Sequence, residues 1–164
     1  MTKTALRDEN GDFLTGSSWF ERDYHFFKKS DLLINDSNSI GEEELLVQRS
    51  KFFPGSLGRD FENIPKNLRL FKKTSFISII KRDIDSKATL EENLSSLSSL
   101  AEICIQSALV DSMKYYAKEL NIMSESDRQK SELFIIAMGK LGGRELNASS
   151  DIDIIFFAPY KDEL

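Results

Sequence analysis

A long apolar stripe with helical spacing occupies the centre of this chain and constrains its fold more than any other feature. Its members recur at alternating intervals of four and three residues: Leu90, Leu94, Leu97, Ala101, Cys104 and Ala108. That period matches one face of an α-helix. Thr89 and Glu92 form a capping-box signature at its start. The pattern predicts one amphipathic helix over about 89–120, packed into a core, in which Cys104 acts as a small buried apolar residue.

Another helix is predicted just before this one. From Pro65 to Ile84, apolar side chains recur among lysines and arginines at roughly helical spacing, which predicts a helix of about five turns. Residues 1–62 instead mix aromatic clusters with polar breaks, a pattern that favours short helices joined by loops. We expect His25 and Trp19 to lie in a core or an interface.

Short apolar runs replace the helical pattern in the last part of the chain. The first run, Leu133–Met138, is bounded by glycine, and the second, Ile152–Ala158, is closed by Pro159. Runs of this length between turn residues are typical of buried strands. The polar segment 121–131 that precedes them is expected to be a loop. Together the elements predict an α+β chain that is mostly α.

A cluster of glycines directly follows the first predicted strand. Three of the eight glycines fall within five residues: Gly139, Gly142 and Gly143. Without a Cβ, such a turn lets backbone N–H groups approach a phosphate closely. Lys140 and Arg144 could add positive charge, although solvated surface charge is an equally good interpretation of both. We also expect a helical turn over 144–147 whose N-terminus faces this loop.

Two carboxylates, Asp151 and Asp153, lie at the start of the second apolar run. Because side chains alternate across a strand, both should project from one face, about 7 Å apart, while Ile152 and Ile154 point into the core. Like charges held this way favour a bridging cation. Oxygen ligands favour Mg²⁺ or Mn²⁺, which also bind nucleotide phosphates. The alternative is a solvated strand end that happens to carry two acids.

The glycine turn, a spacer of seven residues and the Asp–apolar–Asp–apolar pattern resemble the signature of the DNA polymerase β-like nucleotidyltransferases. The whole stretch Gly139–Asp153 is similar to the GKLGGRELN-x-SSDID block of the glutamine synthetase adenylyltransferases, and a weaker likeness extends back through 68–73 and 81–84. The resemblance implies that Asp151 and Asp153 are catalytic metal ligands. It also implies that the turn from Gly142 to Gly143 holds a phosphate and that Ser150 is a further phosphate contact.

The resemblance implies a function in regulating nitrogen assimilation. Enzymes of this family remove AMP from a glutamine synthetase tyrosine by phosphorolysis, or attach it from ATP. The residues of the motif favour the AMP-removing domain. The implied cofactor is Mg²⁺ or Mn²⁺, with ATP or ADP and phosphate as substrates. Glutamine synthetase is the implied partner, and a PII-type signalling protein is a further candidate.

The resemblance also implies three parts of the chain. These are a helical N-terminal region over 1–62, a helical segment over 63–130 that packs on the catalytic domain, and the truncated start of a nucleotidyltransferase domain over 131–164. Members of the superfamily add a third carboxylate on a later strand, which we expect to lie beyond this chain. We therefore expect weak catalysis or none from this chain alone. The alternative function is a non-catalytic helical module that binds glutamine synthetase or a regulator.

Composition excludes several other classes of function. The formal net charge is −5 and no basic stripe is present, which argues against nucleic-acid binding. No apolar run approaches the roughly 18 residues of a membrane span. The N-terminus lacks the apolar core of a secretory signal, and a single cysteine fits a reducing compartment. We expect a cytoplasmic protein.

Overall fold

Helices dominate the described chain. The computed structural model describes residues 6–7, 13–14, 18–35, 38–53, 63–119, 121 and 133–158. In chain order, the elements are β1 (Leu6–Arg7), β2 (Phe13–Leu14), α1 (Ser18–Lys29), α2 (Glu42–Phe52), α3 (Ile64–Ile84), α4 (Leu90–Glu119), β3 (Phe134–Ala137), α5 (Gly139–Gly142) and β4 (Ile154–Phe157). Over the residues just given, four helices of 11 residues or more and two antiparallel strand pairs confirm the predicted α+β class, mostly α.

The pairing of β1 with β2 was not predicted. Leu6 lies opposite Leu14 and Arg7 opposite Phe13, within the N-terminal region for which the sequence favours only short helices. Strands of two residues are too short to show an alternating pattern, so periodicity could not have found them. The predicted loop over 121–131 lies outside the described residues, except for Asn121, which is in a turn.

The two predicted long helices are confirmed. Pro65 lies in the first turn of α3, where a backbone N–H is not needed for the helical ladder. At the start of α4, Thr89 Oγ1 accepts the N–H of Glu92 at 3.1 Å. The carboxylate of Glu92 accepts a hydrogen bond from Arg82 Nη2 at 2.8 Å. The predicted capping residues therefore also tie the start of α4 to α3.

The main core lies among α2, α3 and α4 and continues under the second strand pair. Its buried members are Ile40, Leu45, Phe71, Ile79, Leu97, Leu100, Ile103, Leu141 and Leu146. Leu141 and Leu146 come from the connection between β3 and β4, so this connection is anchored in the helical core. Of the predicted α4 stripe, Leu97 is buried in this core and Ala101 and Cys104 pack against it, whereas Leu90 is 67% exposed.

A smaller core joins α1 to α3 through Phe20, Tyr24, Phe27 and Ile77. Trp19 and His25 are both exposed on α1, so a core position is wrong for them, and a position in an interface stays a prediction. Cys104 packs against the main core. Burial raises the pKa of its thiol to about 11, against the opposing charges of Lys72 and Arg49. A thiol that stays protonated at neutral pH is a packing residue, as predicted.

Within the described residues, no helix combines the length and the apolar character needed to cross a lipid bilayer.

Candidate active site

The two predicted strands form an antiparallel pair. Phe134 lies opposite Phe157 and Ala137 opposite Ile154, and the last two residues pack against the helical core. The prediction that these strands are buried is wrong for the other face of the pair. That face is formed by cross-strand neighbours that are 44–55% exposed: Phe134, Ile136, Ile155 and Phe157. The opposite face meets the helical core only at Ala137 and Ile154 among the described strand residues, since Phe156 on that face is 57% exposed.

Asp151 and Asp153 lie in the segment without regular structure just before β4, not within the strand itself, and their predicted projection from one face stays a prediction. The N–H of Met138 donates to the carbonyl oxygen of Asp153 at 2.9 Å, which continues the pairing one residue beyond Ala137 and Ile154. Both aspartates are exposed. Ile152 is 42% exposed, so its predicted core position is wrong. Ile154, by contrast, packs against the core as predicted.

The carboxylate of Asp153 lies against the glycine cluster. Its Oδ2 atom is 3.6 Å from the point that a Cβ of Gly139 would occupy. Gly139 has φ +54°, in the left-handed region that glycine adopts without steric cost. The fold therefore brings together two sequence features that are fourteen residues apart. It does so through a backbone conformation that favours glycine.

The glycine cluster forms the single helical turn α5. The predicted helical turn over 144–147 is therefore wrong, because the turn lies earlier and residues 145–147 have no regular structure. Burial explains the difference. Leu141 inside α5 is 2% exposed and Leu146 is 7% exposed, and both reach the core because the chain reverses at Arg144, which has φ +56°.

Gly142 and Gly143 differ in how much room a Cβ would have at each position. The N–H of Gly142 donates to the carbonyl of Met138, and the N–H of Gly143 donates to the carbonyl of Gly139, each at 3.0 Å. A Cβ on Gly142 would lie 2.6 Å from the carbonyl oxygen of Ala137, whereas one on Gly143 would make only ordinary contacts from 3.6 Å. Gly142 is thus needed for close packing of α5 on β3. Phosphate binding at both glycines stays a prediction.

Arg144 is directed towards α4. Its Nη1 donates to both carboxylate oxygens of Glu102 at 2.7 and 2.6 Å, and its Nη2 donates to Ser99 Oγ at 2.8 Å. Sequence reasoning missed these partners, because they lie more than 40 residues away and no local pattern links them. Lys140 is exposed at the glycine turn. Phosphate contacts of Lys140 and Arg144 stay predictions.

The Asn147 side chain fixes the turn just before Asp151, and this residue was not predicted from the sequence to have a role. Its Oδ1 accepts hydrogen bonds from the Ser149 N–H, the Ser149 hydroxyl and the Ser150 hydroxyl at 3.1, 3.1 and 2.9 Å. The Ser150 N–H donates to the Asn147 carbonyl at 3.1 Å. This is an Asx-type turn, and the Asn-x-Ser-Ser pattern in the sequence could have predicted it. It fixes Ser150 immediately before Asp151.

The donors at this site suit a hard divalent ion. Asp151 and Asp153 supply carboxylate oxygens, which Mg²⁺ and Mn²⁺ prefer. Among the described residues, no group of three or more His, Cys, Asp or Glu side chains could hold a metal ion. An ion held by these two aspartates would take its other ligands from phosphate oxygens and water, as Mg²⁺ commonly does.

The chain is similar to one family of enzymes over most of its length. The family model described as glutamate-ammonia ligase adenylyltransferase matches residues 44–164. A bifunctional glutamine synthetase adenylyltransferase/adenylyl-removing enzyme of Psychromonas ingrahamii is 34% identical over 134 residues, which cover 82% of this chain and 14% of that enzyme.

Two further relatives carry the same name. The enzyme of Chromobacterium violaceum is 39% identical over 98 residues, covering 60% of this chain and 11% of its own length. The enzyme of Shewanella woodyi is 41% identical over 96 residues, covering 58% and 10%. The chain therefore spans only a small part of the curated relatives that it matches. No solved structure matches it. A family match over residues 44–164 shows that this chain belongs to the glutamate-ammonia ligase adenylyltransferase family.

Proposed function

We propose that this chain carries the metal-binding half of a site that removes AMP from a glutamine synthetase tyrosine. The observation that carries the proposal is the position of the Asp153 carboxylate against Gly139, 3.6 Å from where a Cβ would lie. A carboxylate beside a glycine turn leaves room for a divalent ion and a phosphoryl group to meet. The names of the relatives, which are adenylyltransferases and adenylyl-removing enzymes of glutamine synthetase, support the reaction class.

The proposed reaction is phosphorolysis. An oxygen of inorganic phosphate attacks the phosphorus of the tyrosyl-AMP, the bond from phosphorus to the tyrosine oxygen breaks, and ADP and the free tyrosine result. Asp151 and Asp153 hold the ion, which supplies charge neutralisation and alignment when it is bound. In this proposal Ser150, which Asn147 holds next to Asp151, contacts a phosphate oxygen. Run in reverse, the same site would transfer AMP from ADP to the tyrosine and release inorganic phosphate.

We expect little turnover from this chain by itself. Asp151 and Asp153 are two carboxylates, whereas the superfamily that the sequence resembles uses three. A poorly coordinated ion would give weak stabilisation of the transition state. Regulation by a PII-type protein and a cytoplasmic location stay predictions from the sequence.

The test is a single-turnover assay. An excess of the chain is mixed with adenylylated glutamine synthetase, phosphate and Mg²⁺, and the release of ADP is followed over time. We expect slow release that disappears in Asp153→Asn and persists in Glu145→Gln, a matched removal of charge from an exposed acid in the same loop.

A second measurement separates the proposal from the non-catalytic alternative. Binding of the chain to glutamine synthetase is measured by surface plasmon resonance with and without Mg²⁺·ATP. The proposal would be contradicted if the chain bound equally well with and without nucleotide and released no ADP at any chain concentration. That result would favour a helical docking module.

A further inference from the structure

We infer that one turn of α4 positions the segment that carries the two aspartates. This turn, called here the α4 clamp, consists of Ser98, Ser99 and Glu102, which are positioning residues for the nucleotidyl-transfer site. The inference rests on the proposed function, because it assigns a role to residues that would act through Asp151 and Asp153.

The clamp holds the middle of the connection between β3 and β4. Glu102 accepts two hydrogen bonds from Arg144 Nη1 at 2.7 and 2.6 Å, and Ser99 accepts one from Arg144 Nη2 at 2.8 Å. Ser98 Oγ accepts the backbone N–H of Leu146 at 3.2 Å. Residues at these spacings lie on neighbouring positions of one helix face. The clamp therefore contacts the loop through both a side chain and the backbone.

The held segment lies between the two turns that build the site. Arg144 directly follows the glycine turn, and Leu146 directly precedes Asn147, whose side chain fixes Ser150. Arg144 has φ +56° although it is not glycine. A backbone conformation of this kind persists where surrounding contacts hold it, and the clamp supplies such contacts. Movement at Arg144 would therefore shift both the glycine turn and the aspartates relative to α4.

The chemistry of the clamp separates local positioning from overall stability. The side chains of Arg144 and Glu102 are 49% and 44% exposed, and exposed ion pairs contribute little to folding. Ser98 and Ser99 are 0% and 4% exposed. The hydrogen bonds that they accept from Leu146 and Arg144 therefore end on buried hydroxyl groups of α4. Loss of the Glu102 charge should therefore loosen the loop while the helical core stays folded.

The experiment compares Glu102→Gln with Glu91→Gln, which removes the same charge from an exposed acid elsewhere on α4. Hydrogen exchange is measured on peptides covering 145–153, and Mn²⁺ binding is measured by electron paramagnetic resonance with ATP present. In Glu102→Gln we expect faster exchange in 145–153 and Mn²⁺ binding weakened on the order of tenfold, as for groups that orient metal ligands. Exchange in α2 and α3, and all properties of Glu91→Gln, should stay at wild-type values.

A charge swap provides the rescue. The double variant Glu102→Arg/Arg144→Glu should recover part of the exchange protection that each single variant loses. Wild-type exchange and Mn²⁺ binding in Glu102→Gln would overturn the inference, and so would faster exchange spread evenly over α2, α3 and α4. If the wild-type chain binds no Mn²⁺ with ATP, the proposed function fails, and the exchange in 145–153 alone then decides whether the clamp holds the loop.

Discussion

The helical core and the second strand pair differ in how their apolar side chains are used. Leu45, Phe71 and Ile77 in the helices are 0% exposed, whereas Phe134 and Phe156 in the strands are 55% and 57% exposed. The helices thus bury their apolar surface among themselves, and burial of this kind dominates folding. The strand pair depends on anchors reaching from its connection into that core. The candidate site accordingly lies in a part of the molecule that leaves much of its apolar surface exposed.

The largest expected effect concerns the helical core and uses two adjacent leucines of α2. Leu45 is 0% exposed and Leu46 is 48% exposed. Leu45→Ala should lower the free energy of unfolding by about 2–5 kcal/mol, because it leaves a cavity in the core. Leu46→Ala should change it by less than about 0.5 kcal/mol. Urea denaturation followed by circular dichroism measures both, and similar losses in the two variants would refute the position of the core.

The next effect concerns the anchoring of the strand pair. A Cβ at Gly142 would meet the Ala137 carbonyl oxygen at 2.6 Å, while one at Gly143 has ordinary room. Gly142→Ala should cost about 1–3 kcal/mol through overpacking, with most of the change seen as faster hydrogen exchange in β3 and the glycine turn. Gly143→Ala is the matched control and should leave exchange in β3 unchanged. The reverse order would mean that α5 does not pack on β3 in this way.

A smaller effect concerns the ion pair between α1 and α3. Lys73 Nζ lies 2.5 Å from Asp23 Oδ2. Burial by itself would raise the pKa of Asp23, but hydrogen bonds from Lys73 and Arg22 outweigh it and hold the pKa below its ordinary value. A lowered pKa in the folded state means stabilisation that is present at neutral pH and is lost as the pH falls through that value.

Asp23→Asn should therefore lower stability at pH 7 by about 1 kcal/mol. The difference from wild type should vanish at a pH well below about 3.9, the ordinary pKa of aspartate. Thermal unfolding measured from pH 2 to pH 8 provides the check. A difference that persists unchanged at the lowest pH would show that the charge of Asp23 is not what stabilises the pair.

The smallest expected effect has the opposite sign and concerns Asp111 on α4. This side chain is 2% exposed, and within the described chain neither carboxylate oxygen has a hydrogen-bond partner. Burial raises the pKa of Asp111, although Arg49 and Lys114 oppose the rise. A raised pKa of an acid lowers stability as the pH increases from the unfolded value through the folded one.

Asp111→Asn should therefore stabilise the chain at neutral pH, by roughly 0.5 kcal/mol. The gain should disappear at acid pH, where the wild-type carboxyl is protonated. The same series of unfolding curves measures it, with Asp23→Asn as the internal comparison of opposite sign. A loss of stability at pH 7 would indicate that Asp111 is charged and paired in the folded chain.

The helices could be predicted from the sequence because their determinants are local. The spacing from Leu97 to Ala108 and the capping residue Thr89 together locate α4 without knowledge of its neighbours. The glycine turn, the spacer and the two aspartates could also be recognised from the sequence, because they form one contiguous motif. Asn147 could have been identified from the same stretch, since its side chain bonds only to residues within the next three positions.

What the sequence could not show depends on long-range contacts. Arg144 pairs with Glu102 across 42 positions, and no pattern in either segment specifies that partner. A helical turn was predicted over 144–147, but it forms over Gly139–Gly142. The burial of Leu141 decides its position, and that burial cannot be deduced from the local sequence. The exposed face of β3 was missed because a continuous apolar run does not reveal whether one or both faces of a strand are covered.

The affinity of the chain for Mn²⁺ in the presence of ATP, measured by electron paramagnetic resonance, tests the metal site most directly. We expect binding that falls at least about tenfold in Asp153→Asn and is unchanged in Glu145→Gln, while both variants keep the helical circular dichroism of the wild type. Equal Mn²⁺ binding in wild type and Asp153→Asn would contradict the claim that the aspartates beside the glycine turn form the metal site.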